Sequence, residues 1–500
     1  MGIKSKLITP VAKWTANHIN KWSQKAVEDQ DKIMLNLVSK AKNTKFGRDH
    51  GFENIKSYED YKKQIPIRDY EGLRPYVDEV VKGKPNILWP GKPKYFAKTS
   101  GTTSGVKYIP LTADSIPNHM NSAKSAMLNY VAESKDASIF DGKMIFLSGS
   151  PELSKKGGIN TGRLSGIVNH EIPGWLKANQ LPSYEINCIE EWEEKLEKIV
   201  DETIENDMRL ISGIPPWVQM YYERLLERTG KSTVKEIFPN YNLFMYGGVN
   251  FEPYRAQLES LIGDRIPSVE LYPASEGFIA YQVNQNEQGL LLNTKSGIFF
   301  EFIPVDEVHN ESPTRLKLDQ VEVGKDYALI INNNAGLWGY SIGDSVRFVS
   351  LDPYKLVVSG RIKHYISAFG EHVIGKEVEE AILTVSNKEN ISIVEFTVAP
   401  QVSPTDGSTP YHEWFVEFVD APKDMAAFSK AVDKEMVKQN IYYEDLIKGN
   451  ILQPLKINKL KPGAFRSYMK DQGKLGGQNK VPRLSNDRKI ADQLNKYIDF

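Results

Sequence analysis

The sequence predicts an α/β protein followed by a small α+β domain. Two observations carry this reading. Between residues 143 and 274, amphipathic helical segments alternate with short apolar runs that each end in small or polar residues. That is the pattern of strands joined by crossover helices. After Gly360 the order changes to helix, strand, strand, helix, which marks a separate unit. Length agrees, because 500 residues exceed a single core at about 150 residues per domain.

The elements follow in order. The segment 1–25 is basic but has no apolar h-region, so it reads as an amphipathic surface helix and not as a signal peptide. Trp22, Val27, Ile33, Leu35, Leu37 and Val38 recur among charges, which predicts helix over about 15–65. Pro66, Pro75, Pro85, Pro90 and Pro93 then break the chain into loops and short extended pieces. Residues 143–150 read as a short buried strand, 189–207 as an amphipathic helix and 208–214 as a strand, and Pro216 opens a helix to about Arg228. The runs YNLFMYGG and SVELYPAS complete the alternation. In such sheets the loops after the strands build the ligand site. Over 290–360, LLLNTKSGIFFEFIPV, DYALIINN and DSVRFVSLDPYKLVVSG read as successive antiparallel strands, a β-rich subdomain. A helix near 375–387, strands near 391–399 and 411–419, and a helix near 423–439 make the last unit, with a polar loop at 401–409. The expected domains are 1–360 and 361–500.

Composition narrows the function. With 40% hydrophobic and 25% charged residues, the chain is neither disordered, collagen-like nor a disulfide scaffold. Lys+Arg 63 against Asp+Glu 64 leaves a net charge of −1, which excludes a general polyanion binder and so a nucleic-acid partner. No run of about 18 apolar residues spans a bilayer. A cytoplasmic setting, no membrane partner and a monomer are expected. Cys188 is the one cysteine, so it forms no internal disulfide and no cysteine metal site; it reads as a small apolar residue.

Five segments carry chemistry. Thr99-Ser100-Gly101-Thr102-Thr103-Ser104-Gly105-Val106-Lys107 offers glycine turns, hydroxyls and N–H groups to phosphate oxygens, and a lysine charge. It lacks the G-x-x-x-x-G-K-[ST] spacing, which excludes a P-loop kinase. Leu271-Tyr272-Pro273-Ala274-Ser275-Glu276-Gly277 places one carboxylate at a strand end, where it suits Mg²⁺ shared with phosphates or an ordinary solvated turn. In Gly339-Tyr340-Ser341-Ile342-Gly343-Asp344, an aspartate after a glycine turn suits the two hydroxyls of a ribose, or is a plain Gly-Asp turn. Ser359-Gly360-Arg361-Ile362-Lys363, with Phe369-Gly370-Glu371-His372-Val373, lies at the domain boundary. Gly476-Gly477-Gln478-Asn479-Lys480-Val481-Pro482-Arg483 puts a lysine on a glycine-rich loop. His364 and His372 bring no further ligand set with them, so zinc is not expected.

Together and in this order the segments resemble the adenylate-forming superfamily. TSGTTSGVK resembles its phosphate loop, YPASEG its adenylate motif, YSIGD its ribose motif, and GRIKHYISAFGEHVIGKEVEEAI its hinge and the start of its mobile C-terminal domain. The YxxSEG form and GQNKVPRL resemble the auxin-responsive-promoter family, the acyl acid amido synthetases, from about residue 30 to the end. The chain departs from plant members in having Ser341 where they commonly have arginine, and in being shorter. Neither an arginine role there nor plant hormone specificity is carried over, and a prokaryotic-type member is expected.

The resemblance implies an enzyme that activates a carboxylic acid with ATP and Mg²⁺ and passes the acyl group to an amino acid. Acyl transfer to coenzyme A, or a silent nucleotide-binding protein, are the alternatives. It implies that Ser100, Gly101, Thr102, Thr103 and Lys107 hold phosphates and that Glu276 ligates Mg²⁺. Asp344 would hold the ribose, and Tyr272, Ala274, Ser275 and the backbone at Gly247-Gly248-Val249 would flank the adenine. Arg361 would contact ribose or phosphate, and Lys480 would reach the α-phosphate during adenylation. Lys480, Glu276 and Thr102 are the expected catalytic residues. Trp217, Tyr221 and Tyr222 read as core, with the helix after Pro215-Pro216 an alternative acyl-cavity wall.

Overall fold

A computed structural model describes the chain except residues 1, 103–104, 249–250, 309, 363–364, 367, 372, 473–480 and 500. At residues 3, 100–102, 105, 175, 216, 252–254, 256, 360–361, 365–366, 374 and 376 it describes the backbone alone. Two compact units result. Met1–Thr99, Lys107–Glu190 and Glu194–Ile362 form the first; Ser100–Val106, Glu191–Glu193 and Lys363–Phe500 form the second.

A small sheet, in the first unit but for residues 100–102 and 105–106, has the order β2-β1-β5-β4, from β1 (Tyr95–Thr102), β2 (Gly105–Leu111), β4 (Ser154–Lys156) and β5 (Ile159–Gly162). The large sheet begins with β3 (Lys143–Phe146), β6 (Gln180–Leu181), β7 (Met208–Ser212), β8 (Leu243–Gly247) and β9 (Ser268–Ala274), all parallel to one another. It continues antiparallel through β10 (Gly277–Tyr281), β11 (Leu290–Leu292), β12 (Ile298–Pro304), β13 (Asp326–Asn333), β14 (Tyr340–Leu351) and β15 (Tyr354–Arg361). Among the described residues the order is β12-β13-β14-β15-β11-β10-β9-β8-β7-β3-β6. The β-rich segment expected as a subdomain is therefore one wing of the same sheet, because β11 joins β10 on one side and β15 on the other.

Helix Pro215–Thr229 lies between β7 and β8, and Glu252–Ile262 between β8 and β9, as parallel neighbours require. Helices Ile3–Ser23 and Ile116–Ser134 bury Ala12, Ile19, Trp22, Ala126, Met127 and Tyr130 with Leu210, Leu243, Met245 and Val269 of the sheet. A second core joins the N-terminal helices to β12–β15 through Leu37, Phe46, Tyr61, Phe299 and Trp338.

The second unit contains the short pair β16 (Tyr365–Ile366) and β17 (Val373–Ile374). It also holds a sheet of β18 (Ile393–Gln401), β19 (Tyr411–Phe418) and β20 (Lys456–Lys459), in that order. Helices Gly375–Glu389 and Met425–Gln439 accompany it. Asp424 caps the second helix by accepting from Ala427 N at 2.9 Å.

Three local expectations are corrected. Residues 70–81 are helix and not loop, with Pro75 inside. Asp69 caps it, and Tyr70, Leu73, Val77 and Val80 are buried along one face. Four buried side chains at about 1.5–3 kcal/mol each outweigh the roughly 3 kcal/mol of an internal proline. The helix expected over 189–207 runs only over Trp192–Thr203, and the strand over 143–150 ends at Phe146. Helix Ile116–Ser134 and strand β20 are not read from the sequence at all.

One buried charge ties the first unit together. The Glu301 side chain on β12 is 0% exposed and pairs with Arg315, itself 9% exposed. Arg315 donates from Nε to Oε1 and from Nη2 to Oε2, both at 2.9 Å. Tyr58 OH donates to Oε1 at 2.9 Å and Asn332 Nδ2 to Oε2 at 2.9 Å. Helix Tyr58–Gln64, which supplies Tyr58 and Tyr61, starts in a capping box of Ser57 and Asp60. Asn332 Oδ1 accepts from Tyr61 OH and from Gly339 N, each at 2.5 Å. Arg315→Met strands the carboxylate, so urea unfolding should show a loss of about 3–5 kcal/mol. Adding Glu301→Gln should recover part of it, since removing both charges is far cheaper than removing one.

Candidate active site

Part of the expected site is linked: side chains of β9 and of the β9–β10 turn bond to side chains of β14, and β14 pairs with β15. Tyr272, Pro273 and Ala274 end β9, Ser275 and Glu276 form the turn, and Gly277 opens β10 opposite Ala274. The Glu276 backbone carbonyl accepts from Asn333 Nδ2 at 2.7 Å. Its side chain is half-buried, and Oε1 accepts from Tyr340 OH at 3.2 Å. Tyr340 is fully buried, and burial first, then the Glu276 charge, hold its phenol well above the ordinary value of 10.0. The carboxylate thus has a fixed backbone and one neutral hydroxyl on its head.

Asp344 lies within continuous strand, which corrects the expected glycine turn. From Ser341 to Ser345, β14 advances four residues while β13 advances two, from Ile330 to Ala328. The excess forms a bulge, and Gly343 takes φ +86° in it. The bulge turns Asp344 inward: it is buried, and Oδ2 accepts from Tyr272 OH at 2.5 Å. Across the strands, Asp344 pairs in register with Arg361 of β15, and Ile362 N donates to Gly343 O at 2.8 Å. The ribose and hinge candidates are cross-strand neighbours in backbone.

Gly247 ends β8 opposite Leu271, and a Cβ there would meet Leu271 O at 2.5 Å. Gly248 follows with φ +84°. Ser100, Gly101 and Thr102 belong to β1, and Lys107 to β2, so strand runs further into the expected phosphate loop than its composition predicts. Lys107 Nζ lies 5.8 Å from the Tyr70 ring centroid. Thr103, Val249, His364, His372 and Gly476 to Lys480 lie outside the described residues.

Three asparagines that the sequence reading passes over organise the site. Asn333 Oδ1 accepts from Ala335 N at 3.0 Å and Leu337 N at 3.1 Å, folding the turn that leads into Tyr340. Asn332 holds Gly339 as described above. Asn118, on helix Ile116–Ser134, accepts from Phe278 N at 2.6 Å and donates to Phe278 O at 3.2 Å, where β10 shifts register. The available signal is the run Asn332-Asn333-Asn334 closing an apolar strand. Polar amides there need partners, and a strand end next to a turn supplies them.

Tyr221 and Tyr222 are core, with hydroxyls bonded to Thr203 at 2.8 Å and Tyr241 at 2.6 Å. Burial pushes the Cys188 thiol up, the opposite of an activated nucleophile. Among the described residues no cluster of three or more His, Cys, Asp or Glu could hold a metal. A single half-buried carboxylate fits Mg²⁺ held mainly by nucleotide phosphates and water, and does not fit a resident protein-bound ion. Among the described residues no helix is long and apolar enough to cross a membrane.

Sequence models of the GH3 family match nearly the whole chain. The GH3 family N-terminal domain matches residues 15–173 and 160–267, the central domain 291–361, and the C-terminal domain 376–489. The chain is 22% identical to the jasmonoyl–L-amino acid synthetase JAR4 of Nicotiana attenuata, covering 91% of this chain and 90% of that protein. It is 23% identical to the indole-3-acetic acid-amido synthetase GH3.15 of Arabidopsis thaliana, covering 91% and 89%. Among solved structures, AtGH3.15 acyl acid amido synthetase in complex with 2,4-DB superposes with a TM-score of 0.62 at 16% identity, over 97% of this chain and 96% of that one. A 2-hydroxyisobutyryl-CoA ligase superposes at 0.57 and 13% identity, over 94% and 92%. These two share the fold.

The Tyr340 environment makes a measurable claim. Above pH 10.0 the unfolded chain loses the phenolic proton while the folded chain keeps it, so stability falls as pH rises. Each such group contributes a slope of about 1.4 kcal/mol per pH unit. Tyr61, Tyr222 and Tyr443 share the behaviour. In urea titrations at pH 10 and 11, Tyr340→Phe should lose about 1 kcal/mol less than wild type, since the unfolded phenol is half ionised at the lower pH. Equal losses would show that Tyr340 is not held neutral.

Proposed function

The chain belongs to the GH3 family, and from that premise we propose that it is an ATP-dependent acyl acid amido synthetase joining a carboxylic acid to an amino acid. The observation that carries this is the match to all three family domains, from residue 15 to 489. In the first half-reaction a carboxylate oxygen attacks the α-phosphorus, the bond to the bridging oxygen breaks, and pyrophosphate leaves. In the second, the amine nitrogen attacks the acyl carbonyl, the carbon–oxygen bond to phosphate breaks, and AMP leaves with that electron pair. The amine proton passes to solvent.

The residue roles extend that reading. Asp344, buried and already accepting from Tyr272, takes the ribose hydroxyls, where charge-assisted bonds in a dry site are strong. Tyr272, Ala274, Ser275 and the Gly247-Gly248 backbone flank the adenine. Glu276 takes Mg²⁺, which when bound screens the charge of the polyphosphate. Ser100, Gly101, Thr102, Thr103 and Lys107 hold phosphates, and Arg361 contacts ribose or phosphate. Residues 361–500 act as a mobile domain that brings Lys480 to the α-phosphate for adenylation and withdraws it for transfer.

Acid-dependent ATP–pyrophosphate exchange, scanned over aryl and aliphatic acids, tests the first step, and mass spectrometry of the product with an amino acid mixture tests the second. Exchange followed by an amide is the expected outcome. A coenzyme A thioester in place of the amide, or no exchange with any acid, would overturn it. Asp344→Asn should raise the KM for ATP about 10- to 100-fold, the scale of one lost charged hydrogen bond. Lys480→Ala should slow adenylation far more than the reaction of a supplied acyl-adenylate; equal losses would remove the lysine from the first step.

A further inference from the structure

Helix Ile3–Ser23 is docked along one side only. Asp141 accepts from Gly2 N at 2.7 Å and Ser5 N at 3.2 Å, fixing its first turn. Ala12, Ile19 and Trp22 are buried against helix Ile116–Ser134 and the sheet. On the face beside it, about 100° round the helix, Leu7 is 69% exposed, Val11 49% and Trp14 67%. Leu7 and Trp14 are the most exposed large apolar side chains among the described residues. The spacing i, i+4, i+7 places the three on one stripe, and His18 extends it by stacking on Trp14 at 5.3 Å.

Charge on this helix is of one sign. Residues 1–25 hold Lys4, Lys6, Lys13, Lys21 and Lys25 and no aspartate or glutamate, in a chain whose net charge is −1. All five lysines are exposed. By helical position Lys4 lies on one side of the stripe, and Lys6, Lys13 and Lys21 on the other. An apolar stripe flanked by lysines suits the boundary between acyl chains and anionic headgroups. Leucine, valine and tryptophan enter the boundary while lysine stems lie along it with their charges outward. We propose that this face adsorbs the protein reversibly onto an anionic phospholipid bilayer. Adsorption needs no helix long enough to cross a membrane, and none is present among the described residues. A second copy fits the face less well, because an isologous helix pair would set five lysines against five. Anionic lipid converts that same charge from repulsion to attraction.

Flotation of the full-length protein with phosphatidylcholine vesicles, and with vesicles carrying about one third phosphatidylglycerol, tests this. Binding is expected only with phosphatidylglycerol, and should weaken as salt shortens the Debye length from roughly 14 Å at 50 mM to about 4 Å at 500 mM. Leu7→Ser/Trp14→Ser and Lys6→Glu/Lys13→Glu/Lys21→Glu should each reduce partitioning about tenfold or more, since each removes one of the two driving forces. Their unfolding midpoints without vesicles should match wild type, because every altered side chain is exposed. Failure of the wild type to float with anionic vesicles at low salt, or wild-type flotation by both variants, would overturn the proposal. So would a concentration-dependent dimer in sedimentation velocity that both variants abolish, which would assign the face to a second copy.

Discussion

A carboxylate with no exposed surface, Glu301, sits where β12, β13 and the N-terminal helices meet, and the geometry of the site follows from how its charge is satisfied. A buried charge tolerates few arrangements, because each missing hydrogen bond is costly in a medium with no water to replace it. Here Arg315, Tyr58 and Asn332 supply the donors. Asn332 is then committed in orientation, since its amide faces Glu301 and its carbonyl oxygen must accept from Tyr61 and Gly339. Gly339 precedes Tyr340, and Asn333 next to Asn332 holds the carbonyl of Glu276. The backbone of Glu276 is thus tied through two consecutive amides to a charge deep in the core.

The same sheet explains why one chain segment joins two architectures. Parallel strands β3 and β6 to β9 need long crossovers and place their carboxyl ends along one edge. Strands β10 to β15 pair antiparallel, which needs no crossover helix, and the β9–β10 hairpin changes from one regime to the other. The turn that makes this change holds Ser275 and Glu276, so the site lies at the junction.

Much of this is legible in the sequence, because periodicity and turn composition are local. The β7 strand, the helix opened at Pro216, the C-terminal helices and the antiparallel run 290–360 all come from patterns within a dozen residues. Glu276, Asp344 and Arg361 are reached through motif resemblance, and the strands bring the first two and the backbone of the third to one place. Other features are not local. Pro75 reads as a breaker until the burial of Tyr70, Leu73, Val77 and Val80 is known. Gly343-Asp344 reads as a turn because a bulge exists only relative to a partner strand, and β13 lies upstream with its own register. Asn118 meets Phe278 across 160 residues, and no local pattern marks that pairing.

The two carboxylates differ in a way that suits different tasks. Asp344 is buried, its backbone fixed by a bulge, its side chain tied to a hydroxyl at 2.5 Å. Little reorganisation remains to it, so it suits a group that stays bound through both half-reactions, as a ribose does. Glu276 is half-buried, with its backbone held at 2.7 Å but its head held by one phenol at 3.2 Å. A long bond to a neutral hydroxyl is easily exchanged for a cation, because the competing ligand brings full charge and the phenol loses little. Burial, and then the Glu276 charge, hold the Tyr340 phenol above its ordinary value, so the hydroxyl donates to Oε1 of the carboxylate. A rigid backbone with a loosely held head supports the proposal that Glu276 takes a Mg²⁺ arriving with its nucleotide, because such a site must be ordered enough to select geometry and weak enough to release the ion.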